Sequence, residues 1–280
     1  MTSTASSPTI VLTNGIKIPQ LGFGVFQVTP EQTYETVQDA LQTGYRHIDT
    51  AAMYGNEEQV GKAIAQSAVA RDEIFVTTKL DNSAQGYDQT LRGFEASMTK
   101  LGLDVLDLYL IHWPLPMRNL YVDSYKAMEK LLNEGAIRAI GVSNFQPAHL
   151  DRILDECDIV PALNQIELHP WLIQQAMRDA DRSRDIVTEA WSPIARGGEL
   201  LAAEQLVTIG STHTKSAAQV VLRWHIQLGN VVIPRSVTPS RIAENFELFD
   251  FELSEDEMNT ISAMDKGLRI GPDPDTFDPR

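Results

Sequence analysis

A single cysteine, Cys157, is all the thiol this 280-residue chain holds. No intramolecular disulfide can form, and a reducing compartment, the cytoplasm, is expected. Cys157 ends an apolar-periodic helical stretch, which points to packing rather than to a reactive thiol. Nowhere does the chain approach the roughly 20 apolar residues of a membrane helix, so no membrane partner is expected. Its start, Met1 to Pro8, is polar and lacks both the basic and the apolar parts of a signal peptide. Positive charge is scarce. Against 38 Asp and Glu stand 23 Lys and Arg, a formal net charge of −15. Such a surface repels phosphate backbones and disfavours nucleic acid, while leaving room for a local basic pocket. There is no His-x-His pair; His47, His112 and His169 stand singly, and no metal site is expected. The Gly-x-Gly-x-x-Gly turn is missing as well. Gly22-Phe23-Gly24 runs into Val25-Phe26-Gln27, so any dinucleotide must be held in another way.

What the chain does have is 43% hydrophobic residues, enough for one large core, and a repeated alternation of short apolar runs with helical patterns. Residues 9–18 read as a hairpin with Asn14-Gly15 at its turn. A first strand covers 21–26. Thr29-Pro30-Glu31 reads as an N-cap with proline at the first helical position, before a helix carrying Val37, Ala40 and Leu41. Strand 47–49 and a helix over 57–67 follow. The rhythm continues with strands 74–79, 105–111, 138–142, 161–165, 186–191 and 230–233. The helices between and after them are 88–101, 121–133, 147–156, 172–183, 216–228 and 239–246. Strands apolar on both sides suit a parallel sheet covered on both faces. About eight units favour closure into an α/β (β/α)8 TIM barrel forming one domain over 1–280; an open doubly wound sheet is the alternative. Ser192 to Gly210 reads as a long connection made flexible by Arg196-Gly197-Gly198. Ser254-Glu255-Asp256-Glu257 forms a capping box for an extra C-terminal helix. Residues 266–280, rich in Pro and Gly, form an irregular tail that could serve as a lid over a substrate site.

In such a barrel the C-terminal strand ends converge on the face where active sites lie. Asp49 ends strand 47–49, and Tyr54 follows a short loop. Lys79 follows Ile-Phe-Val-Thr-Thr, and His112 follows Leu-Asp-Leu-Tyr-Leu-Ile. Together they suit reduction of a carbonyl, which needs a hydride on carbon and a proton on oxygen. A phenol with pKa ~10 is too weak an acid unless a cation lies nearby. Lys79 can be that cation, Asp49 can hold its ammonium, and His112 can donate a hydrogen bond to the substrate oxygen. Each residue also has a plainer role: an Asp49–Lys79 pair closing the mouth, Tyr54 as packing, His112 as a structural histidine before Trp113-Pro114. The catalytic role rests on all four meeting. A Schiff-base lysine at Lys79 is the competing chemistry, opposed by an Asp49 that would keep it protonated.

Gly44-Tyr-Arg-His-Ile-Asp-Thr-Ala-Ala-Met-Tyr-Gly-Asn-Glu-Glu, Thr77-Thr-Lys-Leu, Asp107-Leu-Tyr-Leu-Ile-His-Trp-Pro, Gly141-Val-Ser-Asn-Phe and Asn164-Gln-Ile-Glu-Leu-His-Pro resemble the aldo-keto reductase superfamily. The resemblance runs from about Ile10 to Asp265. Trp191-Ser-Pro and the general layout are most similar to the bacterial 2,5-diketo-D-gluconate reductase branch. It implies a nicotinamide cofactor across the C-terminal mouth and the four catalytic roles on Asp49, Tyr54, Lys79 and His112. It implies that Ser143, Asn144 and Gln165 bind the carboxamide and that Trp191, next to Ser192, stacks on the ring. Arg235, Ser236, Val237, Thr238, Arg241, Glu244 and Asn245 resemble the adenosine-phosphate site, which favours NADPH over a weaker NADH. Arg235 replaces a lysine common in relatives. Phe26 and Trp113 are expected to line the pocket. Asp81 stands where relatives carry an aromatic, so a carboxylate facing the pocket is expected to disfavour anionic substrates. The resemblance implies a small-molecule carbonyl as substrate and a monomer. The alternative it allows is a redox-sensing regulatory subunit that binds the cofactor with little turnover.

Overall fold

The computed structural model describes residues 7–279; the polar stretch 1–6 and Arg280 lie outside the described residues. Eight parallel strands run in sequence order: β3 (Phe23–Gly24), β4 (His47–Asp49), β5 (Phe75–Leu80), β6 (Leu106–Ile111), β7 (Ile137–Ser143), β8 (Leu163–Glu167), β9 (Val187–Trp191) and β10 (Val231–Val232). The sheet curls until its edges meet. Leu21 bridges Val232 in parallel, Gly22 N donates to Val232 O at 2.9 Å, and Val232 N donates to Gln20 O at 2.9 Å. The result is a closed (β/α)8 barrel, and helices α1 (Pro30–Thr43), α2 (Glu57–Ala65), α3 (Tyr87–Leu101), α4 (Tyr121–Asn133), α5 (Pro147–Glu156), α6 (Gln175–Arg182), α7 (Glu204–His213), α8 (Ala217–Gln227) and α9 (Pro239–Phe246) surround it.

The two-sided apolar strands have a simple cause. On β5, Val76 and Leu80 join the large cluster shared with the helices, while Phe75 faces an interior layer with Leu108, Leu110, Ala139, Leu163 and Val231. That interior layer also contains Leu12 and Ile18, from either side of the antiparallel hairpin β1 (Thr9–Val11) and β2 (Lys17–Pro19). The hairpin therefore seals the end of the barrel away from the strand C-termini. Above the sealed layer the inward positions turn polar: His47, Asp49, Thr77, Lys79, Gln165 and Glu189 are all buried.

Helix bounds fall within a few residues of those the sequence implies, with instructive differences. Thr29 occupies the N-cap of α1 in extended geometry, but its side chain makes no capping bond; Pro30 alone sets the start. β3 is only two residues long, because Leu21 reaches its partner as a single bridge. The connection expected to be flexible over 192–210 runs into α7 from Glu204 onward, anchored by Leu206 and Ile209 in the core. α10 (Glu255–Ser262) carries the Ser254–Glu257 capping box as the sequence implies. Where α2 crosses α3, Gly61 is required: a Cβ there would sit 2.1 Å from Leu101 O.

Candidate active site

Lys79 is the last inward-facing residue of β5 and is fully buried. Its Nζ donates to Asp49 Oδ1 at 2.6 Å, to Thr50 O at 2.9 Å and to the Tyr54 hydroxyl at 3.4 Å. These acceptors take up the full donor capacity of an ammonium. Burial pulls the lysine down, but Asp49 and Tyr54 outweigh it and push Lys79 above its ordinary range. Burial likewise pushes Asp49 up, against the pull of the Lys79 ammonium and of the bond from Gln165.

Tyr54 ends a single 3-10 turn, Ala52–Tyr54, that Gly55 closes in the left-handed region at φ 69°. That turn is held by Asn56, a residue to which the sequence assigns no role. Thr50 Oγ1 donates to Asn56 Oδ1 at 2.9 Å, and Asn56 Nδ2 donates to Val25 O at 3.0 Å and Val28 O at 3.1 Å. The loops after β3 and β4 are thereby locked together under the phenol. Burial pushes the Tyr54 hydroxyl up to about 12, with Lys79 opposing. The phenol is thus protonated at neutral pH, and its one adjacent cation is the group able to stabilise a phenolate.

His112 follows β6 and meets the Tyr54 ring edge-on, centroids 5.6 Å apart. Burial, then Lys79, pushes its imidazole well below the ordinary range, so His112 is neutral and offers one N–H. Phe26 lies on the other side of Tyr54, centroids 5.0 Å apart, and is half exposed. Asp49, Tyr54, Lys79 and His112 therefore do converge at one mouth.

The residues implied for the carboxamide form a linked set. Ser143 Oγ donates to Gln165 O at 2.8 Å, and Asn144 Nδ2 donates to His112 O at 3.0 Å and Ser143 Oγ at 3.1 Å. Asn144 Oδ1 accepts from Trp191 Nε1 at 2.8 Å. Asn144 and Ser192 are both left-handed, at φ 63° and 49°, a strain that backbones around sites often hold. Gln165 Nε2 donates to Asp49 Oδ2 and to Glu189 Oε2, both at 2.8 Å. At the far side of the mouth, Arg235, Val237, Thr238 and Arg241 are exposed, Ser236 and Glu244 are half-buried and Asn245 is buried, around the start of α9. Arg235 donates to Gln27 O at 3.3 Å.

Asp81 is turned to a local task. Its Oδ1 accepts from Ser83 N at 2.8 Å and Ser83 Oγ at 2.7 Å, capping a 3-10 turn over Asn82–Ala84. Trp113 is buried and packs on Phe277 of the tail at 4.5 Å between centroids. The tail is tied at several points. Arg118 Nε donates to Asp278 Oδ1 at 2.7 Å, and His149 Nε2 lies 3.5 Å from Asp275 Oδ1. Deeper in, Glu167 at the end of β8 accepts from Ile270 N at 2.6 Å, Gly271 N at 2.9 Å and His169 Nε2 at 3.0 Å. A Cβ at Gly271 would meet Trp191 Cη2 at 2.5 Å, so the tail backbone lies directly on that indole.

Three residues with no sequence-assigned role thus support this mouth: Asn56, Glu167 and Glu189. Asn56 and Glu167 stand within the motifs that carry the family resemblance, and Glu189 is a carboxylate inside the apolar strand 186–191.

The sequence profile of the Aldo/keto reductase family matches residues 20–266. The chain is 56% identical over 271 residues to an aldo-keto reductase of Mycolicibacterium smegmatis, covering 97% of this chain and 98% of that one. It is 50% identical over 273 residues to a glyoxal reductase of Bacillus subtilis, covering 97% and 98%. Among solved structures, a point mutant of Gox0644 in complex with NADPH superposes with a TM-score of 0.94 at 45% identity, covering 98% of this chain and 100% of that one. With its barrel, its converged Asp49, Tyr54, Lys79 and His112 and these likenesses, the chain belongs to the aldo/keto reductase family.

Proposed function

We propose that the chain is an NADPH-dependent carbonyl reductase in which Tyr54 delivers the proton. One observation carries this reading: a single buried ammonium, Lys79, touches both Asp49 and the Tyr54 hydroxyl at the barrel mouth. A bound reduced nicotinamide supplies the hydride. The residues present fit such a group. Both hydrogens of Gln165 Nε2 are spent on carboxylates, so its Oε1 is an acceptor suited to a carboxamide N–H. Ser143 and Asn144 add polar partners, and the half-buried Trp191 offers an aromatic face. Arg235 and Arg241, with Ser236, Val237, Thr238, Glu244 and Asn245, would hold the adenosine phosphate at the start of α9. The preference for NADPH over NADH rests on those arginines and on the NADPH complex of the neighbour.

The chain's own groups then divide the work. Neutral His112 donates a hydrogen bond to the substrate oxygen and orients it against Tyr54. As negative charge builds on that oxygen, Tyr54 gives up its proton. Lys79 stabilises the phenolate, and Asp49 keeps the ammonium in place. Phe26, Trp113 and Phe277 supply an apolar wall, and the tail excludes water once substrate is bound. The glyoxal reductase relative supports small aldehydes and dicarbonyls as the substrate class.

The test is titration of intrinsic fluorescence with NADPH and NADH, followed by absorbance decay at the nicotinamide band over a panel of aldehydes and dicarbonyls. Turnover with NADPH, and weaker binding of NADH, is the expected result. Tyr54→Phe keeps the ring and removes the proton. Its turnover should fall by at least ~100-fold, the lower end of general-acid contributions, with NADPH binding preserved. Retained turnover would remove Tyr54 from the role.

A further inference from the structure

Beside the tetrad lies a carboxyl with no cation of its own. Glu189, on β9, is fully buried. Its Oε2 accepts from Gln165 Nε2 at 2.8 Å, and the same nitrogen donates to Asp49 Oδ2 at 2.8 Å. Its Oε1 has no hydrogen-bond partner among the described residues. The groups around it can be named element by element. From β4 come Asp49 and His47, whose Nε2 lies 3.8 Å from Glu189 Oε1 while bonded to Thr77 Oγ1 at 3.0 Å. From β5 comes Lys79, its hydrogens taken by Asp49, Thr50 and Tyr54. Tyr54 comes from the turn after β4. β8 presents neutral Gln165, and β10 sets Val231 in register beside Glu189.

The charge count forces a choice. Burial and Lys79 push His47 down to about 3, so it is neutral. That leaves one ammonium for two carboxyls in a sealed interior. With both ionised, the barrel would hold an uncompensated negative charge, which is costly away from water. Asp49, in direct contact with Lys79, takes the charge. Burial, reinforced by Asp49, pushes Glu189 up to about 8, and it stays a neutral acid at pH 7.

We propose that Glu189 is a positioning residue for the carbonyl reduction: as a neutral acid it fixes the Gln165 amide, and its loss of a proton weakens Tyr54 as a donor. This rests on the reductase reading above. With both Nε2 hydrogens committed, Gln165 keeps Oε1 turned away from the carboxyls; a flipped amide would set oxygen against oxygen at Asp49. When Glu189 ionises, one proton leaves the barrel and a second negative charge faces Lys79. That charge holds the Tyr54 proton more tightly, the direction in which an ionised Glu189 pushes the phenol. Reduction slows as pH rises, although Tyr54 itself remains protonated.

The experiment compares wild type with the isosteric Glu189→Gln. kcat for aldehyde reduction is read at saturating NADPH from about pH 6 to about pH 10, with NADPH affinity measured by fluorescence at each pH. At neutral pH the acid and the amide are both uncharged, so each protein's kcat there is the reference against which its own pH profile is read. Above about pH 8 wild-type kcat should fall, by up to ~10-fold per unit for a single ionisation, while Glu189→Gln stays level. The same alkaline fall in both proteins overturns the proposal, as does a loss in the variant that is equal at every pH. Should the variant fail to fold, infrared difference spectra of wild type with isotope-labelled glutamate decide. A protonated-carboxyl band present at neutral pH and gone above about pH 9 is expected, and its absence at neutral pH overturns the proposal. Wild type that binds no NADPH and reduces no carbonyl at neutral pH sinks the reductase reading instead, and the proposal with it. The infrared band would still report the state of Glu189.

Discussion

Replacing Glu167 with Gln should loosen the tail without unfolding the barrel. The carboxylate is fully buried and receives two backbone N–H groups from the tail, at 2.6 and 2.9 Å, together with His169 at 3.0 Å. Burial pushes this carboxyl up, but the bonds from His169, Ile270 and Gly271 outweigh it and hold it below the usual range, so it is ionised. An amide of the same shape puts an NH2 where one of the two oxygens now accepts a tail N–H. At least one charge-assisted bond is lost, worth about 1.5–3 kcal/mol. At 1.4 kcal/mol per tenfold, local opening of the tail becomes roughly 10- to 150-fold more frequent. Amide hydrogen exchange reads this directly at Ile270 and Gly271. Both should exchange faster by that factor, while amides of α8 and the barrel strands keep wild-type protection. Unchanged exchange at the two amides would refute the reasoning. Faster exchange spread over the barrel would show Glu167 to be a general core support rather than a latch.

Two further outcomes follow from buried contacts. Gly61→Ala places a methyl 2.1 Å from Leu101 O, against backbone that cannot swing away. α2 must shift off the end of α3 at a cost of about 1–3 kcal/mol, lowering Tm on the order of 5 °C; an unchanged Tm would mean the two helix ends slide freely. Asp181 is held by Asn164 at 3.1 Å and Thr188 at 2.8 Å, and burial pushes it up to about 7. A raised folded-state value means the native state keeps a proton that the unfolded chain releases. The stability this contributes is full below 3.8 and is lost as pH rises through about 7. Asp181→Asn, which has no proton to lose, should therefore gain on wild type across that window by up to ~1.4 kcal/mol per pH unit in urea unfolding. A difference independent of pH would show that Asp181 is already ionised in the native state.

The sequence made the barrel and the tetrad legible because both are written locally. Each strand is a short apolar run, and Asp49, Lys79 and His112 stand where such a run stops. What escaped is whatever depends on residues far apart. Glu167 meets tail amides 103 and 104 positions on, and nothing near it announces them. Glu189 reads as one polar residue in a strand until Asp49 and Lys79 arrive from β4 and β5 across the barrel interior. α7 was hidden because Gly, Ser and Thr dilute its periodicity, leaving Leu206 and Ile209 as its core anchors. Asp81 was legible as a departure from the resemblance, but not its use: a carboxylate two residues before Ser83 satisfies the turn next to it before it can address a substrate.

The seam between Leu21 and Val232 carries a cost in time. Its two sides are separated by most of the chain, and they join through few bonds, among them Gly22 to Val232 and Gly24 to Pro234. Pro234 can accept there but cannot donate. During synthesis from the N-terminus, the edge at β3 stays open until residues 231–232 emerge. Loop closure over so long a span is slow, and an open strand edge is a template for another chain. Recovery on refolding should therefore drop as protein concentration rises, with the unjoined seam as the point at which neighbouring molecules capture one another.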